Sequence, residues 1–314
     1  MVTREKKERL CMAHRTLLEL VFYMGKGLMY KKHILRYMSE FEGINEIDTS
    51  KVLKELRDSD IVDSHSVFGA KVIRLKKFAI YFLLEKDRED VSSITLTAGK
   101  VKKSAFLNQI VLQSATILKK RNPSLPLLIQ YYQAKTTYLS KDKESFSYLE
   151  NQIQEGWCTP YARQEVNDLK IAKQQGHVFK KNDAEEKIQR GYNLNSMQAS
   201  NIYLGLKRKA SNGKTVVYVD VLDINGLMTA KQFAKKVGLV VDYLDLLFDR
   251  EDLTLTFYFL LHVQSQERKD FLQKQEKQIN ESIRTHCKED IPWDINNLDL
   301  ERTLFKNQKV LLNV

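Results

Sequence analysis

A chain of 314 residues is long enough for two domains that each bury a core. Its 51 Lys and Arg outnumber 40 Asp and Glu, and the net charge of +11 with a pI near 9.3 favours a polyanionic partner. The longest apolar run, Phe78 to Leu84, is too short to span a bilayer, so no membrane partner is expected. The cysteines Cys11, Cys158 and Cys287 stand too far apart for a disulfide framework or a zinc ribbon. Six histidines form no His-x-x-x-His or Glu-x-x-His pair, so neither a metal nor any other cofactor is expected. Glu19 interrupts the apolar stretch after the charged start and no small-residue cleavage site follows, which points to a cytoplasmic protein.

The first predicted helix is Arg15 to Met24, stopped by Gly25 and Gly27. The second is Lys31 to Phe41, with Ile34, Leu35, Met38 and Phe41 at helical spacing on one face, and Gly43 ends it. After the turn Glu42 to Ile47, Asp48 is positioned to cap a third helix in which Val52, Leu53 and Leu56 face inward. Thr49, Ser50, Lys51, Lys54 and Arg57 belong to the start and outward side of that helix. Ile61 to Leu75 reads as a hairpin with its turn at Ser64 to Gly69, His65 near the tip, and Lys71 and Arg74 on the returning strand.

This order of elements, and the string TSKVLKELRDSDIVDS in particular, resembles the recognition helix and first wing strand of the winged helix-turn-helix DNA-binding superfamily. The resemblance covers residues 14–75 only and implies double-stranded DNA as partner. Thr49, Ser50, Lys51, Lys54 and Arg57 are then the expected readers, and His65, Lys71 and Arg74 the expected wing contacts to phosphate. A winged helix used only for protein contact is the bland alternative.

Lys77 to Glu85 is expected to close this first domain as a short helix, with EKDREDVSS as a linker. SITLTAGK alternates like a strand, and Val101 to Lys120 reads as a helix. No acidic residue occurs from Val91 to Lys141, and this stretch carries Lys100, Lys102 and Lys103, which strengthens the nucleic-acid reading. RNPSLP breaks the helix, and Leu127 to Leu139, Glu144 to Gln154 and Thr159 to Gln175 are further expected helices. Past Ser200, NIYLGLKRK and KTVVYVDVLDI form strands joined through Asn212-Gly213, followed by a helix from Thr229 to Phe248, the strand LTLTFYFLLHV and a polar helix from Ser265 to Lys288.

The expected fold is therefore α+β and mainly helical: a winged domain at 1–90, a basic helical region at 91–195 and a small β-β-α-β-α domain at 196–314, the last a candidate surface for a homodimer. NGKT at Asn212 fails as a phosphate loop because a strand follows it, and TAGKVKKS lacks both the first glycine and the Ser or Thr. Asp220 and Asp223 end an apolar strand and leave a metal-dependent nuclease as the enzymatic alternative, although no Glu-x-Lys partner is in view. The favoured expectation is a non-enzymatic, sequence-specific regulator of transcription, or of the replication or transfer of a mobile element such as a plasmid.

Overall fold

A computed structural model describes residues 2–113, 124–126, 128–129, 197, 200–209, 215–247, 255–300 and 304. The protein is α+β and divides into two compact units, residues 1–132 with 298–314, and residues 133–297. Among the described residues no helix is long and apolar enough to cross a membrane. The expected helices at Leu127 to Leu139, Glu144 to Gln154 and Thr159 to Gln175, and the turn at Asn212-Gly213, lie wholly or mostly outside the described residues.

The first unit opens with α1 (Arg4–Ala13), which the sequence reading missed. Its apolar seam is thin, since only Leu10 and Cys11 are buried, but Thr3 caps it by accepting a hydrogen bond from the Lys6 amide. The expected helix Arg15 to Met24 is α2 (Arg15–Glu19) running into a π-helical turn (Leu20–Met24). Gly25 is required there by crowding and not by a left-handed conformation: a Cβ would lie 2.6 Å from the Val21 carbonyl oxygen. Gly27, at φ +79°, does use the glycine-only freedom. It leads into β1 (Leu28–Tyr30), three fully buried residues too short to show a periodicity.

Helix α3 (Lys31–Phe41) has the expected bounds. Helix α4 runs from Glu46 to Asp58, three residues earlier than expected, because the cap is Asn45 and not Asp48. Asn45 accepts from the Asp48 amide (2.9 Å) and donates to the Asp48 carboxylate (2.7 Å), so Asp48 is the third residue of the helix and completes a reciprocal cap. β2 (Val62–Val67) and β3 (Ala70–Leu75) form a tighter hairpin than the expected six-residue turn. Only Phe68 and Gly69 turn the chain, both at positive φ, which matches the twist of the flanking strands. His65 is therefore mid-strand opposite Val72, not at the tip. The sheet is antiparallel in the order β1-β3-β2.

α5 (Lys77–Leu84) follows as expected, but SITLTAGK forms no strand. Helix α6 (Ala98–Gln113) belongs to the first unit, so the expected boundary at residue 90 falls inside it. Ser104 donates to the Leu28 carbonyl (2.9 Å), Asn108 donates to the Met24 carbonyl (3.1 Å), and the Tyr37 hydroxyl donates to the Asn108 carbonyl (3.2 Å). The first two bonds satisfy backbone carbonyls at β1 and the π turn that would otherwise be buried alone, and the third ties α3 to α6.

The second unit is a four-stranded sheet in the order β4-β5-β6-β7: β4 (Ile202–Lys209), β5 (Thr215–Leu222), β6 (Leu255–Val263) and β7 (Trp293–Asn297). β4 is antiparallel to β5, and β5, β6 and β7 are parallel. The first three strands were legible in the alternation, whereas β7 was not expected. Val217, Val219 and Val221 of β5, and Phe257, Phe259 and Leu261 of β6, face one hydrophobic core. That core is closed by α7 (Ala230–Leu247) and by α9 (Glu276–Cys287). The polar helix expected from Ser265 to Lys288 is two helices, α8 (Gln266–Gln273) and α9. Gly238 lies within α7; a Cβ there would lie 2.8 Å from the His286 Cβ, so the glycine lets α9 approach closely.

Two outcomes follow. A fragment ending at residue 90 loses the partners of the Met24 and Leu28 carbonyls and is expected to show no cooperative thermal transition. In the full chain, Asn108→Ala and Gly238→Ala are each expected to cost about 1–3 kcal/mol, the first by unpairing a buried carbonyl and the second by overpacking. Denaturant midpoints at unchanged slope would measure both.

Candidate nucleic-acid interface

A groove of about 220 Å³ lies between α4 and the β2–β3 hairpin. Its polar lining is Lys31, Ser50, Lys54, Arg57, Ser64 and Lys71, four cations and no acid. Burial of Thr49, Leu53 and Leu56 turns the opposite side of α4 outward. Ser50, Lys54 and Arg57, spaced by four and three residues, then line one side of the groove. Lys71 reaches it from β3, and Lys31 from the first turn of α3. Lys31, Lys54 and Lys71 have no acidic partner among the described residues, so their charge is available to a ligand. The Arg57 guanidinium lies 3.2 Å from Asp58 in an exposed pair, an interaction weak enough to be exchanged for a phosphate.

The other expected site residues divide. Ser50 and Lys51 stay on the accessible side, and Lys51 donates to Asp48 (2.8 Å). That bond, with the one from Asn45, holds the Asp48 carboxyl below its usual range. Thr49 is a correction: at 1 % exposure it faces the core and cannot meet a ligand. Arg74 is another, because its guanidinium forks onto Asp63 (3.0 and 3.1 Å from Nε, with a further bond from Nη2) and is half-buried there. His65 Nε2 stands 3.0 Å from the same carboxylate. Burial pushes the Asp63 carboxyl up, but the bonds from Arg74, with His65 close by, outweigh it and hold it below the ordinary range.

Lys100 is exposed, but Lys102 and Lys103 do not extend a basic face. Lys102 is 7 % exposed with its ammonium 5.2 Å from the Phe68 ring, and burial lowers its pKa. Lys103 is pushed down to about 8 by burial and by Lys26. The reason is that α6 is a core helix whose residues 104–112 are all buried, so its lysines lie along apolar surface. Lys31 and Ser64 were missed. A signal for Lys31 existed: Lys31 and Lys32 open a helix, where the dipole disfavours cations unless an anion is to come.

In the second unit, Asp220 and Asp223 are 4 % and 3 % exposed. Asp220 Oδ1 lies 2.7 Å from His262 Nε2, and His262 Nδ1 lies 3.0 Å from the Asn296 amide nitrogen. With that amide donating, Nδ1 accepts and Nε2–H donates to Asp220, a line of hydrogen bonds across β5, β6 and β7. Asp223 accepts from the Leu227 and Met228 amides (3.1 and 3.2 Å) and pairs with Arg268 (2.8 Å). Among the described residues no group of three His, Cys, Asp or Glu could hold a metal ion. Compared with known proteins, the chain matches no family model, no curated protein and no solved structure.

Asp63→Asn is expected to cost about 1–3 kcal/mol at neutral pH, the scale of hydrogen bonds to a charged group. A carboxyl held low in the folded state stabilises fully above its unfolded pKa, and that contribution is lost as pH falls through the folded value. Unfolding curves of wild type and variant should therefore converge in acid and separate as pH rises through the carboxylate range.

Proposed function

We propose that the protein is a sequence-specific double-stranded-DNA-binding regulator whose first unit acts as a winged helix, with α4 entering the major groove and the β2–β3 hairpin lying along the backbone. The observation that carries this reading is the acid-free groove with Lys31, Lys54, Arg57 and Lys71 between α4 and the hairpin. Support also comes from the element order α2-β1-α3-α4-β2-β3 and the sheet order β1-β3-β2, which is the connectivity of winged domains. Phosphates meeting the groove displace condensed counterions, which gives affinity, while residues on the outward side of α4 read base edges. The regulated process is transcription, or the replication or transfer of a mobile element, and the second unit is a surface for self-association. A nuclease built on Asp220 and Asp223 is the weaker reading, since both carboxylates are already engaged by His262, by backbone amides and by Arg268.

The test is binding of the full chain to a duplex selected from a random pool and to its scrambled form, at several salt concentrations. Lys54→Ala should cost about 1–3 kcal/mol on the selected duplex and relax preference at one position. Arg57→Ala and Lys71→Ala should weaken both duplexes alike, and each should lower the salt slope by about one. If all three variants bind every duplex as wild type does, the reading fails. Mg²⁺-dependent plasmid nicking that disappears in Asp220→Ala would favour the nuclease instead.

A further inference from the structure

We infer that Ile47, in the first turn of α4, is a specificity residue that reads the C5-methyl group of thymine; the inference rests on the DNA-binding reading above. Ile47 is 71 % exposed, on a helix whose core side is already formed by Thr49, Leu53 and Leu56. Helical spacing aligns Ile47, Lys51 and Lys54 at i, i+4 and i+7 along the outward side, and Lys54 also lines the cationic groove. The isoleucine is thus the leading, apolar end of a stripe whose other members are cations.

Its neighbours narrow what it can meet. Glu46 and Asp48 flank it in sequence and put two carboxylates in the first turn, the second paired with Lys51 (2.8 Å). They suit the helix dipole but repel phosphate, so the backbone is left to Lys31, Arg57 and Lys71 and the first turn to the bases. In the major groove the apolar group that the bases present is the thymine C5-methyl. A single exposed isoleucine is ordinary on a protein surface. The position of this one, at the end of the helix that enters the groove and between two acids, gives it a defined contact.

The experiment uses the full chain and the selected duplex, with each dT replaced in turn by dU, which removes only the methyl. Wild type is expected to lose about fourfold in affinity at one or two positions, the value of one buried methyl. Ile47→Ala should bind the parent duplex more weakly and no longer distinguish dT from dU at those positions, while Lys51→Ala keeps the distinction. The wild-type scan does not depend on any variant folding. Unchanged binding of every dU duplex, with sequence preference intact, would overturn the role of Ile47 and leave the DNA-binding reading standing. A dT-to-dU loss that persists in Ile47→Ala would assign the methyl to another residue, and a loss of self-association in Ile47→Ala with unchanged DNA binding would make the residue a protein contact. If no duplex is bound at all, the DNA-binding reading fails and this inference with it.

Discussion

Thr49, Leu53 and Leu56 must leave water together, and that requirement fixes how α4 lies. Each buried leucine is worth about 1.5–3 kcal/mol, so turning the helix by one residue would forfeit more than any surface ion pair, at about 0–1 kcal/mol, could restore. The outward stripe is therefore set by the core and not by the charges it carries. The same holds across the groove. Tyr30 pairs with Val72 in the β1–β3 ladder, and α3 begins at the next residue, so Lys31 emerges beside Lys71. Ser66 opposes Lys71 in the β2–β3 ladder, which puts a small side chain next to that ammonium. Four cations line one groove because three buried residues and two strand registers fix the backbone positions that carry them.

Periodicity in the sequence was enough to find the elements with broad apolar faces. The bounds of α3, the core of α5, and β4, β5 and β6 could all be read from spacing alone. The elements missed are those whose signal is short or shared. β1 and β7 are strands of three and five residues, and α1 buries only Leu10 and Cys11. Helices α8 and α9 looked continuous because the residues joining them, Lys274 and Gln275, are good helix formers. The cap of α4 was misplaced for a different reason. Asn45 and Asp48 are both good caps, and only the tertiary course of the chain decides that Asn45 takes the cap while Asp48 bonds back to it. Of the groove lining, Ser50, Lys54, Arg57 and Lys71 were legible, whereas the burial of Thr49 and the pairings of Lys51 with Asp48 and of Arg74 with Asp63 were not.

Among the described residues of the acid-free stretch, Lys100 is exposed but Lys102 and Lys103 do not form an accessible basic surface. Lys102 and Lys103 sit in a stretch without a single acid, yet both lose much of their hydration to the helix that carries them. The second unit gives the opposite case. Asp220 and Asp223 drew attention as carboxylates at a strand end, and burying either one alone would cost several kcal/mol. Asp223 instead organises the loop from β5 to α7, accepting two amides and one guanidinium, and Asp220 anchors His262. The features that suggested metal ligands are the features a loop and a strand end need in order to be buried.

The charge on α4 separates two tasks. Its first turn carries Glu46 and Asp48, and its last turn carries Arg57. Both ends complement the helix dipole, so the gradient stabilises the helix before any ligand arrives. A polyanion approaching α4 meets repulsion at one end and attraction at the other, and Lys31 and Lys71 lie on the attractive side. On the proposed DNA-binding reading, backbone phosphates would be drawn to one flank and held off the first turn. Base edges carry no net charge, so the acids do not bar them from it. A helix that was basic throughout would bind any duplex from either end. One with an acidic first turn gives up part of that affinity, and in return it limits the ways a duplex can lie against it.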